Sequence, residues 1–439
     1  MLGGGLSGLS AACYLLDKGH SVTLIEKRPF LGGRAFSFVD KETGVEVDNG
    51  QHVFMGCCTY FIDFLDKVGA LHKTYLQDRL KITVVRNGKK GRLFSVPWLG
   101  FLHLLPSLLS YPHLSFKDKC LAIYVLMIMK SMDRKARRDA LEQVTFYNWL
   151  KRLSQSERSI EALWNLVALP TLNDSVKDVS AFMGVMVFQD ALLKGPKEAA
   201  LGYSKVGLTS LSGDSARDYI RARGGALLLD KAVTAINIDG AKVTDVTLVG
   251  GEKISGDVFV SALPFQVLHE LLPAGPPQGR QLSLGQGLTS SPIVGIHIWY
   301  DRPVMDGDVV AFLDSPVQWI FNKTLIQNLD ESEGQYLCIS LSGAWKFADL
   351  SKEELRSMFV KEMERLFPKA AEATIKQFLV VKQLQATFSP APGTYVLRPK
   401  QKTPISNLML AGEWTDTGWP STMESAVRSG VLAAQAVED

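Results

Sequence analysis

The sequence predicts an α/β fold, a parallel sheet wrapped by helices with an α+β unit interleaved between its segments. Three features in the first 34 residues carry that expectation: the glycine loop Gly3-Gly4-Gly5-Leu6-Ser7-Gly8, the acid Glu26 closing an apolar run, and Gly32-Gly33-Arg34. In the pattern Gly3-x-Gly5-x-x-Gly8, glycines permit a tight turn, let backbone approach a pyrophosphate, and let the following helix pack on the sheet. A helix starting near Leu6 turns its N-terminal N–H groups toward those phosphates. Residues 21–26 are β-rich, and Glu26 stands 18 residues beyond Gly8, where an acid accepts both hydroxyls of an unphosphorylated ribose. FAD and NAD both carry such a ribose.

Gly32-Gly33-Arg34 separates the two, because a plain NAD domain has no use for a second glycine pair and a guanidinium so soon after the acid. The set resembles the GR2-type FAD flavoproteins, which include amine oxidases and carotenoid desaturases. It implies a GR2-type FAD-binding Rossmann-like domain with an interleaved α+β substrate domain. Gly3, Gly5, Gly8, Glu26, Gly32, Gly33 and Arg34 are then the first cofactor contacts. A glycine-rich turn with a solvated acid and arginine would explain the loop alone, but not all three features in order.

A chain of 439 residues buries a large core and suits two domains. With 46% hydrophobic residues, 21% charged residues and a net charge of +3, it has no footprint of a nucleic-acid binder. Cys13, Cys57, Cys58, Cys120 and Cys338 are odd in number and contain no C-x-x-C pair, which argues against a disulfide framework or a zinc site and fits a reducing cytoplasm. No stretch reaches the roughly 18 apolar residues a spanning helix needs. Only Met1 and Leu2 precede Gly3, where a buried strand of about five or six residues is expected. The natural chain is therefore expected to begin upstream.

Along the chain, residues 36–40 and 45–48 read as a hairpin around Glu42-Thr43-Gly44, and a helix is expected over 60–68. A second hairpin, 80–86 with 92–97, turns at Asn87-Gly88. Helices are expected over 142–153, 157–169, 179–193 and 208–223. Short strands follow at 226–229, 233–238, 243–248 and 257–261. Strands at 293–300, 310–314, 318–321 and 337–341, with a helix at 352–366, suggest a second sheet. The expected division gives residues 1–75, 205–265 and 400–439 to the cofactor and residues 76–204 and 266–399 to substrate and membrane.

Residues 97–129 hold two apolar runs that are too short or too broken by proline to span a bilayer. They suit an interfacial or cavity-lining helix. From Lys89 to Arg152 twelve basic residues face four acidic ones, a local excess of eight charges that anionic headgroups would attract. A buried core helix with a solvated basic flank is the competing account.

Residues 408–430 form the second strong signal: a strand, the turn Gly412-Glu413, and a helix from Ser421 to Gly430. That order brings Glu413 to ribityl hydroxyls and aims a helix N-terminus at the flavin O2 region. Here the chain resembles the hydroxysqualene dehydroxylases, squalene-associated FAD-dependent desaturases of the amine oxidase and phytoene desaturase superfamily. The resemblance rests on Asp48-Asn49-Gly50-Gln51-His52, Gly56-Cys57-Cys58, Ala386-Thr387-Phe388, Arg398-Pro399 and residues 410–430. It covers nearly the whole chain and implies contacts to FAD from Val233, Gly412, Glu413, Trp419 and Met423.

The resemblance implies reductive removal of the hydroxyl of hydroxysqualene to give squalene, for hopanoid or sterol precursors. His52 is the expected proton donor, with Asp48 as its orienter or substitute; His52 could also only hydrogen-bond the flavin. His103 and His113 read as structural. Phe54, Trp98, Trp299 and Trp419 are candidates to stabilise an allylic cation. The alternatives are a carotenoid (phytoene-type) desaturase with opposite electron flow and a non-catalytic isoprenoid-binding protein on a flavoprotein fold. Only one G-x-G-x-x-G is present, so an unidentified electron donor is implied. The expected partners are a long apolar isoprenoid and an anionic membrane surface, with no nucleic acid and no metal. The expected place is cytoplasmic, peripherally associated with the inner face of the cell membrane.

Overall fold

The computed structural model describes residues 1–273 and 284–438. Residues 274–283, which the expected substrate domain includes, lie outside the described residues. A parallel sheet brings the nucleotide-binding elements together. Strand Thr23–Ile25 pairs with Ala226–Leu228 on one side, and Phe259–Ser261 pairs with Leu408–Leu410 on the other. Between these pairs stands Leu2 alone, bridged in parallel to both Ile25 and Ser261, while the Met1 amine donates to the Thr23 carbonyl at 2.8 Å. Helix Leu6–Asp17 leaves this sheet and packs along the C-terminal helix Met423–Glu438, where the Ser10 hydroxyl donates to the Val427 carbonyl at 3.0 Å.

A second, seven-stranded sheet forms the other wall. Its order is Ile375–Phe388, Ser290–Tyr300, Gln335–Ser342, Trp319–Asn322, Val309–Phe312, Lys81–Arg86 and Lys89–Phe94. All neighbours are antiparallel except Val309–Phe312 with Lys81–Arg86. The hairpin Lys81–Phe94 turns at Asn87-Gly88, both with positive φ. A smaller antiparallel sheet of Val233–Asp239, Lys242–Leu248 and Lys253–Ser255 flanks the parallel one.

Several elements depart from expectation. The two apolar runs of residues 97–129 fold as more than one helix. Residues Pro97–Leu102 form tight turns broken by Gly100 at φ 54°, followed by helices Leu105–Ser110 and Phe116–Ser131. The last begins at a capping box of Ser115 and Asp118. The C-terminal helix begins at Met423 rather than Ser421, because the Thr422 hydroxyl accepts the Ser425 N–H at 3.2 Å, and it runs on past Gly430 to Glu438. Strand Ile375–Phe388, the longest in the molecule's described residues, had no signal in apolar alternation, since it is half-buried on both faces over much of its length.

A buried ion pair ties the two walls together. Asp48, at the end of the hairpin strand Glu46–Asp48, receives Lys323 Nζ at 2.9 Å, the Leu208 N–H at 3.0 Å and the Ser37 hydroxyl at 2.9 Å. Lys323 opens the short helix that follows the sheet strand Trp319–Asn322, and both residues are buried. Burial pushes the Asp48 carboxyl upward, but Lys323 and the two other donors outweigh it and hold the group below the ordinary range. Asp48 therefore contributes stability above the usual carboxylate pKa that is lost as pH falls through its lower native value. Lys323→Met should cost about 3–5 kcal/mol in denaturant unfolding by leaving Asp48 unpaired, and adding Asp48→Asn should recover most of that loss.

Candidate functional site

The glycine loop and the second glycine pair close on each other. Gly32 N–H donates to the Gly4 carbonyl at 2.9 Å, and Gly5 bridges Gly32 in parallel. A Cβ on Gly33, at φ 61°, would lie 2.7 Å from Gly5 Cα, and one on Gly8 would lie 2.0 Å from the Gly3 carbonyl oxygen. Only glycine allows either approach. Glu26 is buried and points back at the loop, accepting Gly4 N–H at 2.7 Å and Arg28 N–H at 2.9 Å. No side chain caps the helix beginning at Leu6, so its first N–H groups remain available to an anion.

Across the opening, Arg34 forms an ion pair with Glu413 and donates to the Ala386 carbonyl at 3.0 Å. The Glu413 turn is clamped from behind by Arg398, which donates to the Glu413 carbonyl at 3.0 Å and the Thr415 carbonyl at 2.5 Å. Burial lowers the Arg398 pKa to about 10, against the opposing pull of Asp416. The guanidinium remains charged at neutral pH.

Gly3, Gly5, Glu26, Gly32, Gly33, Arg34, Val233, Gly412, Glu413, Trp419 and Met423 all line one cavity. Gly8 stands just behind its wall, against Gly3. A carboxylate beside a glycine turn, an uncapped helix start, and a second glycine pair packed against the first with no side chain between them make a cradle that FAD fits. The same cavity is also lined by His52 and by an apolar wall of Leu80, Ile82, Leu93, Leu104, Leu108, Leu126, Leu163 and Phe188.

His52 lines this cavity, and its Nδ1 donates to the Gly50 carbonyl at 2.9 Å. Nδ1 therefore holds the proton of the neutral ring and leaves Nε2 as an acceptor. Burial is the main cause that pushes the His52 pKa below its usual value, although the Gly50 bond and Asp48 resist it. Asp48 does not orient His52: the Gly50 carbonyl takes that place, and the Asp48 carboxylate is held by Lys323 outside the cavity lining. Its lowered pKa also unsuits it as a substitute acid.

The aromatic candidates divide. Phe54 and Trp419 line the cavity. Trp98 is 82% exposed on the surface, and Trp299 stacks on Tyr336 at 4.3 Å outside the cavity lining. Trp319 and Phe321, which sequence reading passed over, line it instead. His103 bonds Ser95 and the Leu192 carbonyl, and His113 bonds the Val84 carbonyl, so both serve packing. Ser340, Ser342 and Gln383 were also missed. They stand on the two strands that flank Ser290–Tyr300 in the large sheet, line the cavity, and have no side-chain hydrogen-bond partner among the described residues. Singly, each reads as an ordinary strand residue.

Residues 6–438 match the family of flavin-containing amine oxidoreductases. The chain belongs to that family. It is a FAD-dependent oxidoreductase. Similar proteins include a probable zeta-carotene desaturase of Synechococcus elongatus, 27% identical over 100% of this chain and 98% of the relative. A 15-cis-phytoene desaturase of the same organism is 26% identical over 99% of this chain and 94% of its own. Among solved structures, putrescine oxidase superposes with a TM-score of 0.75 at 18% identity, covering 100% of this chain and 97% of that one. Cyclohexylamine oxidase from Brevibacterium oxydans superposes with 0.70 at 19% identity, covering 100% and 98%. These structures share the fold.

Two substitutions test the cradle. Gly33→Ala should wedge the two glycine segments apart, and Glu26→Ala should remove the acid that faces the loop. Each protein should purify with a visibly reduced flavin absorbance per chain while its circular dichroism is retained; a full flavin complement in both would contradict the assignment.

Proposed function

We propose that the protein reductively removes the hydroxyl of hydroxysqualene to give squalene. The carrying observation is the row of Ser340, Ser342 and Gln383, which lines the same largely apolar cavity as His52. A pure hydrocarbon would bury these groups unpaired, at about 1–3 kcal/mol each, whereas one alcohol oxygen in a long isoprenoid would satisfy them. In this reading the glycine cradle, Glu26, Arg34, Val233, Gly412, Glu413, Trp419 and Met423 hold FAD, and residues 76–204 and 266–399 serve the substrate.

Reduced FAD would supply the hydride that quenches the allylic cation left by departing water. The chain's own residues do the rest. His52 protonates the leaving oxygen from Nε2, which requires the imidazolium form. Because its pKa lies below the usual histidine value, turnover should rise as pH falls through that lowered value. Phe54, Trp319, Phe321 and Trp419 present aromatic faces that favour positive charge.

A second reading, carotenoid-type desaturation, is favoured by the similarity to zeta-carotene and phytoene desaturases. There the neutral Nε2 would accept a proton instead. A non-catalytic isoprenoid-binding role is disfavoured by the complete set of Glu26, Arg34 and Glu413. Anaerobic incubation of chemically reduced protein with hydroxysqualene should yield squalene by mass. Oxidised protein should leave phytoene unchanged, and the reverse pair of outcomes would establish the desaturase. His52→Gln should slow dehydroxylation by about 10²- to 10⁴-fold with the flavin spectrum intact, and its residual rate should no longer rise toward acid pH.

Membrane attachment is part of the same proposal. No helix among the described residues is long and apolar enough to cross a membrane. Trp98, Phe101 and Phe116 are nevertheless exposed, within the segment whose Leu104, Leu108 and Leu126 line the cavity. An apolar substrate could then pass between bilayer and cavity without crossing water. Flotation with liposomes should require anionic lipid, weaken with salt, and fall sharply in Trp98→Ala/Phe116→Ala; binding indifferent to all three would remove the claim.

A further inference from the structure

A polar pocket separate from the FAD cavity lies at the turn of the hairpin Lys81–Phe94, and the two share no lining residue. Arg86 and Lys89 reach it from either side of the Asn87-Gly88 turn. His113 joins them from the loop between helices Leu105–Ser110 and Phe116–Ser131, and Glu157, Arg158 and Glu161 from the helical region that starts at Glu157.

The three cations of this pocket are poorly matched by acid. Glu157 is already engaged, accepting the Tyr147 hydroxyl at 2.6 Å and pairing with Lys151 at 3.2 Å. Glu161 stands 3.6 Å from Arg86, too far for a hydrogen bond. Arg86 Nη1 is buried and has no hydrogen-bond partner among the described residues. Arg158 spends Nε on the His113 carbonyl at 2.7 Å, and neither it nor Lys89 forms an ion pair among the described residues. Asp118, whose carboxyl feels the Arg158 charge, is occupied by the hydroxyls of Ser115 and Ser156 at 2.7 Å each. The three positive charges converge on His113. Burial lowers the pKa of that ring, and Arg86, Lys89 and Arg158 each push it further down, so it stays neutral at ordinary pH.

We propose that this pocket binds one phosphate group, and that a membrane lipid headgroup carries it. A phosphate presents three acceptor oxygens, which two guanidinium forks and one ammonium meet from different elements. The headgroup source follows from what borders the pocket. Three residues beyond His113 stands Phe116, 79% exposed at the start of its helix, with Lys117 exposed beside it. On the other side, the edge strand Lys89–Phe94 exposes Lys90 and Arg92. A ring entering the interface next to a site for one headgroup fixes the orientation of the protein on the bilayer, which diffuse charge attraction does not. That step rests on the membrane reading above; the phosphate site itself does not.

Titration calorimetry of the FAD-loaded protein with inorganic phosphate at constant ionic strength should show one saturable site. Arg86→Met/Arg158→Met should weaken it at least about tenfold. Lys90→Met/Arg92→Met, which removes the same charge outside the pocket, should leave it unchanged. Should the first variant fail to fold, Lys89→Met decides, because that side chain makes no hydrogen bond or ion pair among the described residues; it should weaken binding about threefold. Absence of a saturable site in wild type, or equal losses inside and outside the pocket, would overturn the site. Flotation then identifies the source, with vesicles of phosphatidylcholine carrying either phosphatidic acid or oleate at matched surface charge. Wild type should float more completely with phosphatidic acid, and Arg86→Met/Arg158→Met should float equally with both. A wild type that binds inorganic phosphate but shows no such preference would overturn the headgroup and assign the site to free phosphate. Failure to float with either vesicle would overturn the membrane reading and the headgroup together, and calorimetry alone would then decide the site.

Discussion

The buried Asp48–Lys323 ion pair is the constraint on which the site depends. Two charges taken out of water are tolerable only with close geometry and further hydrogen bonds, and Asp48 has both in Lys323, Leu208 N–H and the Ser37 hydroxyl. The pair anchors the end of one hairpin strand to the far end of a sheet strand. The segment that follows Asp48 has little freedom as a result. It passes with Gly50 close above Gly295 and delivers His52 to the cavity wall.

From that anchor the two halves of the cavity follow. On one side, the paired glycine segments, Glu26 and the Arg34–Glu413 contact shape a cradle for FAD, with Arg398 bracing the Glu413 turn from behind. On the other, leucines and isoleucine from the helical region and the adjoining hairpin build an apolar wall. The polar row of Ser340, Ser342 and Gln383 lies in the same cavity, on the face of the large sheet that Gly50 approaches. An isoprenoid bound there meets apolar contact along most of its length and hydrogen-bonding groups at one place.

The parts legible in the sequence are those whose physics is local. Gly3, Gly5 and Gly8, the acid at Glu26, and the Asn87-Gly88 turn each declare themselves within a few residues, because turn conformation and helix starts are local matters. The partners of Asp48 were not legible. Lys323 lies 275 positions away and, in a short helix, reads as a solvated residue. The polar row was hidden for the same reason, since three commonplace residues become a feature only when strand pairing aligns them. Trp98 and Trp299 stand out in the sequence by ring chemistry alone, and their location at the surface and in packing against Tyr336 outside the cavity lining depends on contacts that no short window contains.

The central claim is that the polar row selects an oxygenated isoprenoid in a cavity otherwise suited to a hydrocarbon. Titration of the FAD-loaded enzyme with hydroxysqualene and with squalene, followed by perturbation of the flavin spectrum, tests it most directly. The alcohol should bind at least about tenfold more tightly, the worth of one well-made hydrogen bond, and Ser340→Ala/Ser342→Ala/Gln383→Leu should abolish that preference. Equal affinity for the two ligands in the wild-type protein would contradict it.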